Sequence, residues 1–302
     1  MAAKDKSIYE TFTIRSNDGS KTIDLRGGIV SFSYFENVFS PMITAQVLIT
    51  TTGNVIADED GDTTSIYNGL PLRGGEKVSF KIPANSENNV DLEFTEENGN
   101  ELYVASITNV LIEAEKEIFT LNLVSREAIT NETSRVGKKF PSSEPISDSV
   151  KEIIEKYLLS EKKVDVDETQ NPYGFLGNLK KPFTIITWLA AKSVPGTVSG
   201  GSATAGYFFF ETKEGYHFRS VDSLITQDPY EIEYTYSPKV IDNQAADKDF
   251  KILSYSTTYN QNLIQNLERG AYCTYRMYYL SLIHISEPTR PRLISYAVFC
   301  LK

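Results

Sequence analysis

The chain has 302 residues, enough for two or three domains with a sizeable core. Hydrophobic residues make up 40%, which argues against disorder throughout. The 40 Asp and Glu against 30 Lys and Arg argue against general nucleic-acid binding, which needs clustered cations. No apolar run approaches the roughly 18 residues of a membrane helix, and the opening MAAKDKSIYE lacks the apolar stretch of a secretory signal. The expectation is a soluble, intracellular chain without stable membrane insertion.

The abundance of Tyr and Phe, 18 and 16 copies, favours β structure and aromatic contact surfaces. Up to about residue 124 the runs FTIRS, GGIVSFSYFENVF, MITAQVLITTT, EKVSFKI, DLEF, LYVASITNV and EIFTLNLVS read as strands separated by Gly, Asn, Asp or Pro. Val78, Phe80 and Ile82 alternate with polar neighbours, as do Phe119, Leu121 and Leu123, the period of two of a half-buried antiparallel strand. The acidic, Asn-rich stretches 56–63 and 84–100 read as loops or hairpin connections.

Near Ser125 the character changes. SREAITNET opens with an N-cap residue and has helical composition. Ile146, Val150, Ile153, Ile154, Tyr157 and Leu158 line one face of a helix expected over 147–159. A second helix, expected over 182–193, begins with proline in its first turn and carries Phe183, Ile186, Trp188, Leu189 and Ala190, with Trp188 expected in the core. The linker PGTVSGGSATAG then leads into a hairpin, Tyr207–Glu211 and Tyr216–Ser220 about a turn at Gly215. EIEYTYS and FKILSYSTTY continue the β pattern before a short helix near 260–268.

The end of the chain reads differently. LSLIHISEPTR, residues 280–290, matches the translation of a common sequencing-library transposase adapter, and ISYAVFCLK, residues 294–302, matches the adjoining primer segment. An index-sized gap separates the two blocks. The expectation is therefore a scar outside the fold, with the natural product continuing differently after Tyr279. Setting 280–302 aside removes Arg290, Arg292, Lys302 and Glu287. That leaves 27 Lys and Arg against 39 Asp and Glu, a formal charge of −12. Cys273 and His217 then remain as single copies, from which neither a disulfide framework nor a Cys/His zinc site can be built.

Candidate chemistry is sparse. Asp58-Glu59-Asp60-Gly61-Asp62 invites a calcium reading but lacks the spacing of an EF-hand loop and reads as a solvated acidic loop. RGG at 26–28 and RGGEK at 73–77 lack phosphate-loop spacing and read as turns; SGGSATAG at 199–206 lacks a dinucleotide fingerprint and reads as a flexible loop. No local pattern pairs His217 with a carboxylate or nucleophile, so it reads as a hairpin or interface histidine, and Cys273 has no catalytic signature. The clusters Phe32-Tyr34-Phe35-Phe39 and Tyr207–Phe210 read as core and subunit-contact residues, with sugar-stacking platforms as the alternative. No catalytic residue, cofactor site or metal site is expected.

SFSYFENVFSPMITAQVLITTTGNVI followed by GLPLRGGEKVSFKI, then KKPFTIITWLAAKSV with AGYFFFETKEGYHFRSVDSLI, and finally NQNLIQNLERGAYCTYRMYY resemble, in this order, segments of the baseplate hub subunit of T-even-like contractile-tailed phages. The likeness spans nearly all of 8–279 and includes the family's aromatic-acidic-X-X-Phe-Ser-Pro turn. It implies an α+β, mostly β chain: a tube-like antiparallel β-barrel domain (1–124), a helix-containing middle domain and linker (125–205), and the start of a second tube-like domain, truncated (206–279). It also implies a homotrimeric ring in the virion, assembled in the host cytoplasm. The implied partners are the spike or tail lysozyme protein, the tail tube and the baseplate wedges. DNA would pass through the lumen without specific binding. The rival readings are a sugar- or receptor-binding tail component, a tail-associated cell-wall hydrolase with a carboxylate pair assembled in space, and the spike trunk of a contractile secretion system.

Overall fold

The computed structural model describes residues 8–52, 56–57, 63–84, 90–113, 116–196, 206–228, 234–236, 251–252 and 254–268. They fall into two compact units, Met1–Glu231 and Ile232–Lys302. The fold is mostly β with short helices.

The first unit opens with β1 (Thr11–Arg15), β2 (Thr22–Asp24), β3 (Ile29–Phe35) and β4 (Thr44–Thr51). A short pair, β5 (Ile56–Ala57) and β6 (Thr63–Thr64), and a one-turn helix α1 (Ile66–Gly69) precede β7 (Lys77–Ile82), β8 (Leu92–Phe94), β9 (Leu102–Glu113) and β10 (Lys116–Ser125). Eight of these form one antiparallel sheet in the order β2-β1-β7-β9-β10-β4-β3, with β8 also on β7. Period-two alternation decides its register: Phe12, Ile14, Val47, Ile49, Val78, Phe80, Phe119 and Leu121 all point into one core. Burying each such side chain contributes about 2 kcal/mol.

The sheet curls. β3 and β1 stand near opposite ends of the strand order, yet Phe32 packs edge-on against Phe12 at 5.7 Å and Phe80 at 5.1 Å, and Tyr34 meets Phe94 at 5.5 Å. Among the described residues no ladder joins β2 to β3, so the sheet is curled and open, where the sequence reading anticipated a closed barrel. The 3₁₀ turn of the RGG sequence, Arg26–Gly28, leads the chain from β2 into β3. There Gly28 presses against β4 so closely that a Cβ would lie 2.8 Å from the Thr50 carbonyl oxygen.

A second core follows in the same unit. α2 (Arg126–Thr133), α3 (Ile146–Ile153) with a π-helical continuation Ile154–Leu158, and α4 (Pro182–Ala190) surround it. Ile146, Val150, Ile153, Ile154 and Leu158 are buried, as their spacing requires. A strand pair and a three-stranded sheet complete the layer: β11 (Lys139–Phe140) with β13 (Phe175–Leu176), and β12 (Lys163–Val166), β15 (Gly215–Ser220) and β14 (Tyr207–Thr212), followed by α5 (Val221–Thr226). The hairpin expected to open a separate domain at 206 thus pairs in parallel with β12 of the middle segment. Its inward residues Tyr207, Phe209, Tyr216 and Phe218 join the helices' core.

In the second unit, β16 (Thr235–Tyr236) pairs in parallel with β17 (Lys251–Ile252), Tyr236 meets Tyr255 edge-on at 5.1 Å, and α6 (Leu263–Glu268) follows. A second barrel is not formed by the described residues. Cys273, the acidic run 58–62, the glycine-rich linker before Gly206 and the adapter-like end 280–302 lie outside the described residues.

Candidate subunit-contact surface

The turn between β3 and β4, Phe35-Glu36-Asn37-Val38-Phe39-Ser40-Pro41, is held by its own side chains. Asn37 accepts the Phe39 N–H at 2.9 Å, and the Ser40 hydroxyl donates to the Met42 carbonyl at 3.0 Å. Glu36 then ties the turn to the β14–β15 hairpin by accepting from the Tyr34 hydroxyl at 2.6 Å and the Lys213 N–H at 2.7 Å. Burial, reinforced by this bond, pushes the Tyr34 hydroxyl well above the usual tyrosine pKa.

The two aromatic clusters picked out in the sequence meet here. Phe32 and Tyr34 turn inward, as do Tyr207 and Phe209. Phe35 (53% exposed) and Phe39 (77% exposed) face solvent, and Phe39 packs edge-on against half-buried Phe208 at 5.3 Å. Exposed aromatics at a rigid junction have the composition of a protein contact surface. Phe210 stacks on His217 at 5.0 Å, so one of its faces is already covered.

Folding gives His217 one neighbour from its own hairpin and one from the distant strand β12. Its Nε2 lies 2.9 Å from Thr212 Oγ1 and its Nδ1 3.4 Å from Asp165 Oδ2. A hydroxyl, an imidazole and a carboxylate in line suggest acyl transfer, but that chemistry also needs donors for an oxyanion. The Lys213 N–H, next to Thr212, is bound by Glu36, and the Glu214 N–H donates to Thr212 Oγ1 itself at 3.3 Å. The arrangement closes a hairpin turn.

Behind the surface lies a buried polar junction between the two cores. Glu211, fully buried, accepts from Ile43 N at 2.9 Å, Ser125 Oγ at 2.6 Å and Lys162 Nζ at 2.5 Å. Lys162 also meets Glu127 at 2.7 Å. Burial alone would lower the Lys162 pKa, but the carboxylates of Glu211 and Glu127 outweigh it and hold the ammonium above the ordinary lysine value. Ser125, expected as a helix cap, does stand at the N-cap of α2. Its hydroxyl gives no cap bond and is spent on Glu211 instead. Glu211 was legible in principle, since the period that turns Tyr207 and Phe209 inward turns residue 211 inward too. Nothing local marks Lys162.

Trp188 departs from expectation: it is 42% exposed. At 3.6 residues per turn it sits about 140° round α4 from Phe183, off the face that Phe183, Ile186 and Leu189 bury. Among the described residues no three His, Cys, Asp or Glu side chains stand together as a metal site, and no helix is long and apolar enough to cross a membrane.

No protein-family profile and no curated protein sequence matches the chain. Solved structures that are similar include the 43 kDa tail protein of prophage MuSo2 from Shewanella oneidensis (9% identity, TM-score 0.44, 69% of this chain and 54% of that one). The tail protein from Neisseria meningitidis is similar over 69% of this chain and 49% of that one (11% identity, TM-score 0.40). A prophage tail protein from Listeria monocytogenes is similar over 76% and 56% (9% identity, TM-score 0.42). The chain spans about half the length of these tail proteins.

Proposed function

We propose that the chain is a structural component of a contractile phage tail, a hub subunit of the T-even-like kind that forms a trimeric ring between the tail tube and the membrane-puncturing spike. The observation that carries this reading is the contact between two of the segments on which the family resemblance rests. The Phe35–Pro41 turn and the YFFFETKEGYHF hairpin, about 170 residues apart in sequence, lock together through Glu36, Lys213, Phe39 and Phe208. The outcome is a rigid aromatic surface, which suits a protein that works by shape and repeated contacts without a reactive centre. In this reading the second tube-like domain is completed by natural residues after Tyr279, and 280–302 derive from a sequencing adapter.

Light scattering on the protein carrying its natural C-terminus tests the ring. A trimer, alone or with its spike partner, is expected; a strict monomer or dimer in both conditions removes the hub assignment. Long-read sequencing of the locus tests the end of the chain, and codons for LSLIHISEPTR in the genomic template would overturn the adapter account. Purified protein is expected to leave peptidoglycan and small esters intact. Turnover abolished by His217→Ala would replace the structural reading with a hydrolytic one.

A further inference from the structure

Trp188 stands between two features that share it as a wall. On one side an open hollow of about 500 Å³ is lined by Pro41, Phe183, Thr184, Thr187 and Trp188, none of them charged. On the other, Tyr173 and Phe175 meet the indole edge-on at 5.6 and 5.7 Å. The Lys192 ammonium lies over both the Trp188 ring, at 5.0 Å, and the Tyr173 ring, at 5.3 Å. The cation is thus held by aromatic faces, and the Trp188 ring that it covers also walls the uncharged hollow.

Charge sharpens the picture. The chain is acidic, with a formal charge of −10, and several of its exposed lysines are neutralised: Lys138 by Glu152 and Lys181 by Glu132. Lys192 forms no ion pair among the described residues, and neither do exposed Lys139 and Lys180 on and beside the adjoining β11–β13 pair. An apolar hollow and an uncompensated cation that share Trp188 are complementary to one kind of occupant, an apolar side chain with a carboxylate near it in sequence. We propose that this shelf docks an acidic segment of a partner protein, its apolar side chain entering the hollow and its carboxylate meeting Lys192. The inference stands apart from the ring assignment and survives if that assignment fails.

Trp188 is the only tryptophan in the chain, so its emission reports on the shelf directly. The full-length protein is titrated with a synthetic peptide of about ten residues in which Leu is flanked by Glu. A saturable blue shift is expected, weakened by salt and weakened about tenfold by Lys192→Glu, with Lys192→Gln intermediate. Circular dichroism confirms that both variants keep their fold. Three outcomes overturn the proposal. One is equal binding of the peptide with Glu replaced by Gln. Another is a shift produced by a sulfated oligosaccharide or single-stranded DNA and not by the peptide. The third is no shift with the acidic peptide up to about 1 mM.

Discussion

The two cores of the first unit handle their most deeply buried acids differently; the less deeply buried Glu101 of the sheet pairs with Arg15 and Lys77. In the curled sheet, Glu117 holds α1 by accepting from Ile66 N at 3.0 Å, Tyr67 N at 2.9 Å and Thr51 Oγ1 at 3.2 Å. Glu76 likewise gathers the N–H groups of Arg73 and Gly74 in the RGGEK turn. Both are buried and take backbone donors, with no ion pair among the described residues. In the second core, Glu211 and Glu127 share one half-buried ammonium, Lys162, drawn from a different segment. A carboxylate satisfied by amides organises a loop. Two carboxylates sharing one lysine join segments, and loss of that lysine strands both of their charges.

That contrast sets the expected order of effects. Lys162→Met leaves Glu211 and Glu127 without their shared cation and is expected to cost about 3–5 kcal/mol in denaturant unfolding. The triple variant Lys162→Met with Glu127→Gln and Glu211→Gln should recover much of that loss, which would identify stranded charges and not a packing defect as its cause. Gly215→Ala comes next. Gly215 has φ +140, and its Cβ would fall 2.1 Å from the Lys163 carbonyl oxygen, so pairing of β12 with β15 should be lost at about 2–4 kcal/mol. Glu117→Ala should cost about 1–3 kcal/mol, because its amide donors lose their acceptor but no charge is left behind. If Glu117→Ala equals Lys162→Met in the same assay, the distinction between the cores fails.

The pH dependence is smaller and separates the regions again. Lys162 is held above the ordinary lysine value, so the stability it contributes is complete below that value and is lost as pH rises through its folded pKa. Alkaline titration of stability should steepen there in the wild type and flatten in Lys162→Met. Asp18, by contrast, is lowered to about 2 by hydrogen bonds from Ser16 and Ser20 in the β1–β2 turn. Its contribution is present above the unfolded carboxylate pKa and is lost as pH falls through about 2. Asp18→Asn should remove only that acidic limb.

How much of this was legible follows from range. Every principal strand up to Ser125, the helix at Ile146 and its face, and the β14–β15 hairpin could be read in advance, because period two or 3.6 is imposed on a segment by its own burial. The short strands β11, β12 and β13 left no signal, since two to four residues carry no period and exist only because a partner strand arrives from elsewhere. Trp188 was misplaced for a related reason. An apolar residue near the edge of a helix face is assigned inward or outward by the neighbour that covers that face.

The chain's own residues therefore determined the alternating strands, the acidic balance, the aromatic turn at Phe35–Pro41 and the inward register that carries Glu211. Tertiary structure decided what those features meet: that the sheet curls until Phe32 touches Phe12, that Glu36 binds the amide of Lys213, and that Lys162 arrives beside Glu211. Local propensity acts over a few residues, whereas a buried charge or a ring contact is settled only where distant segments exclude water together.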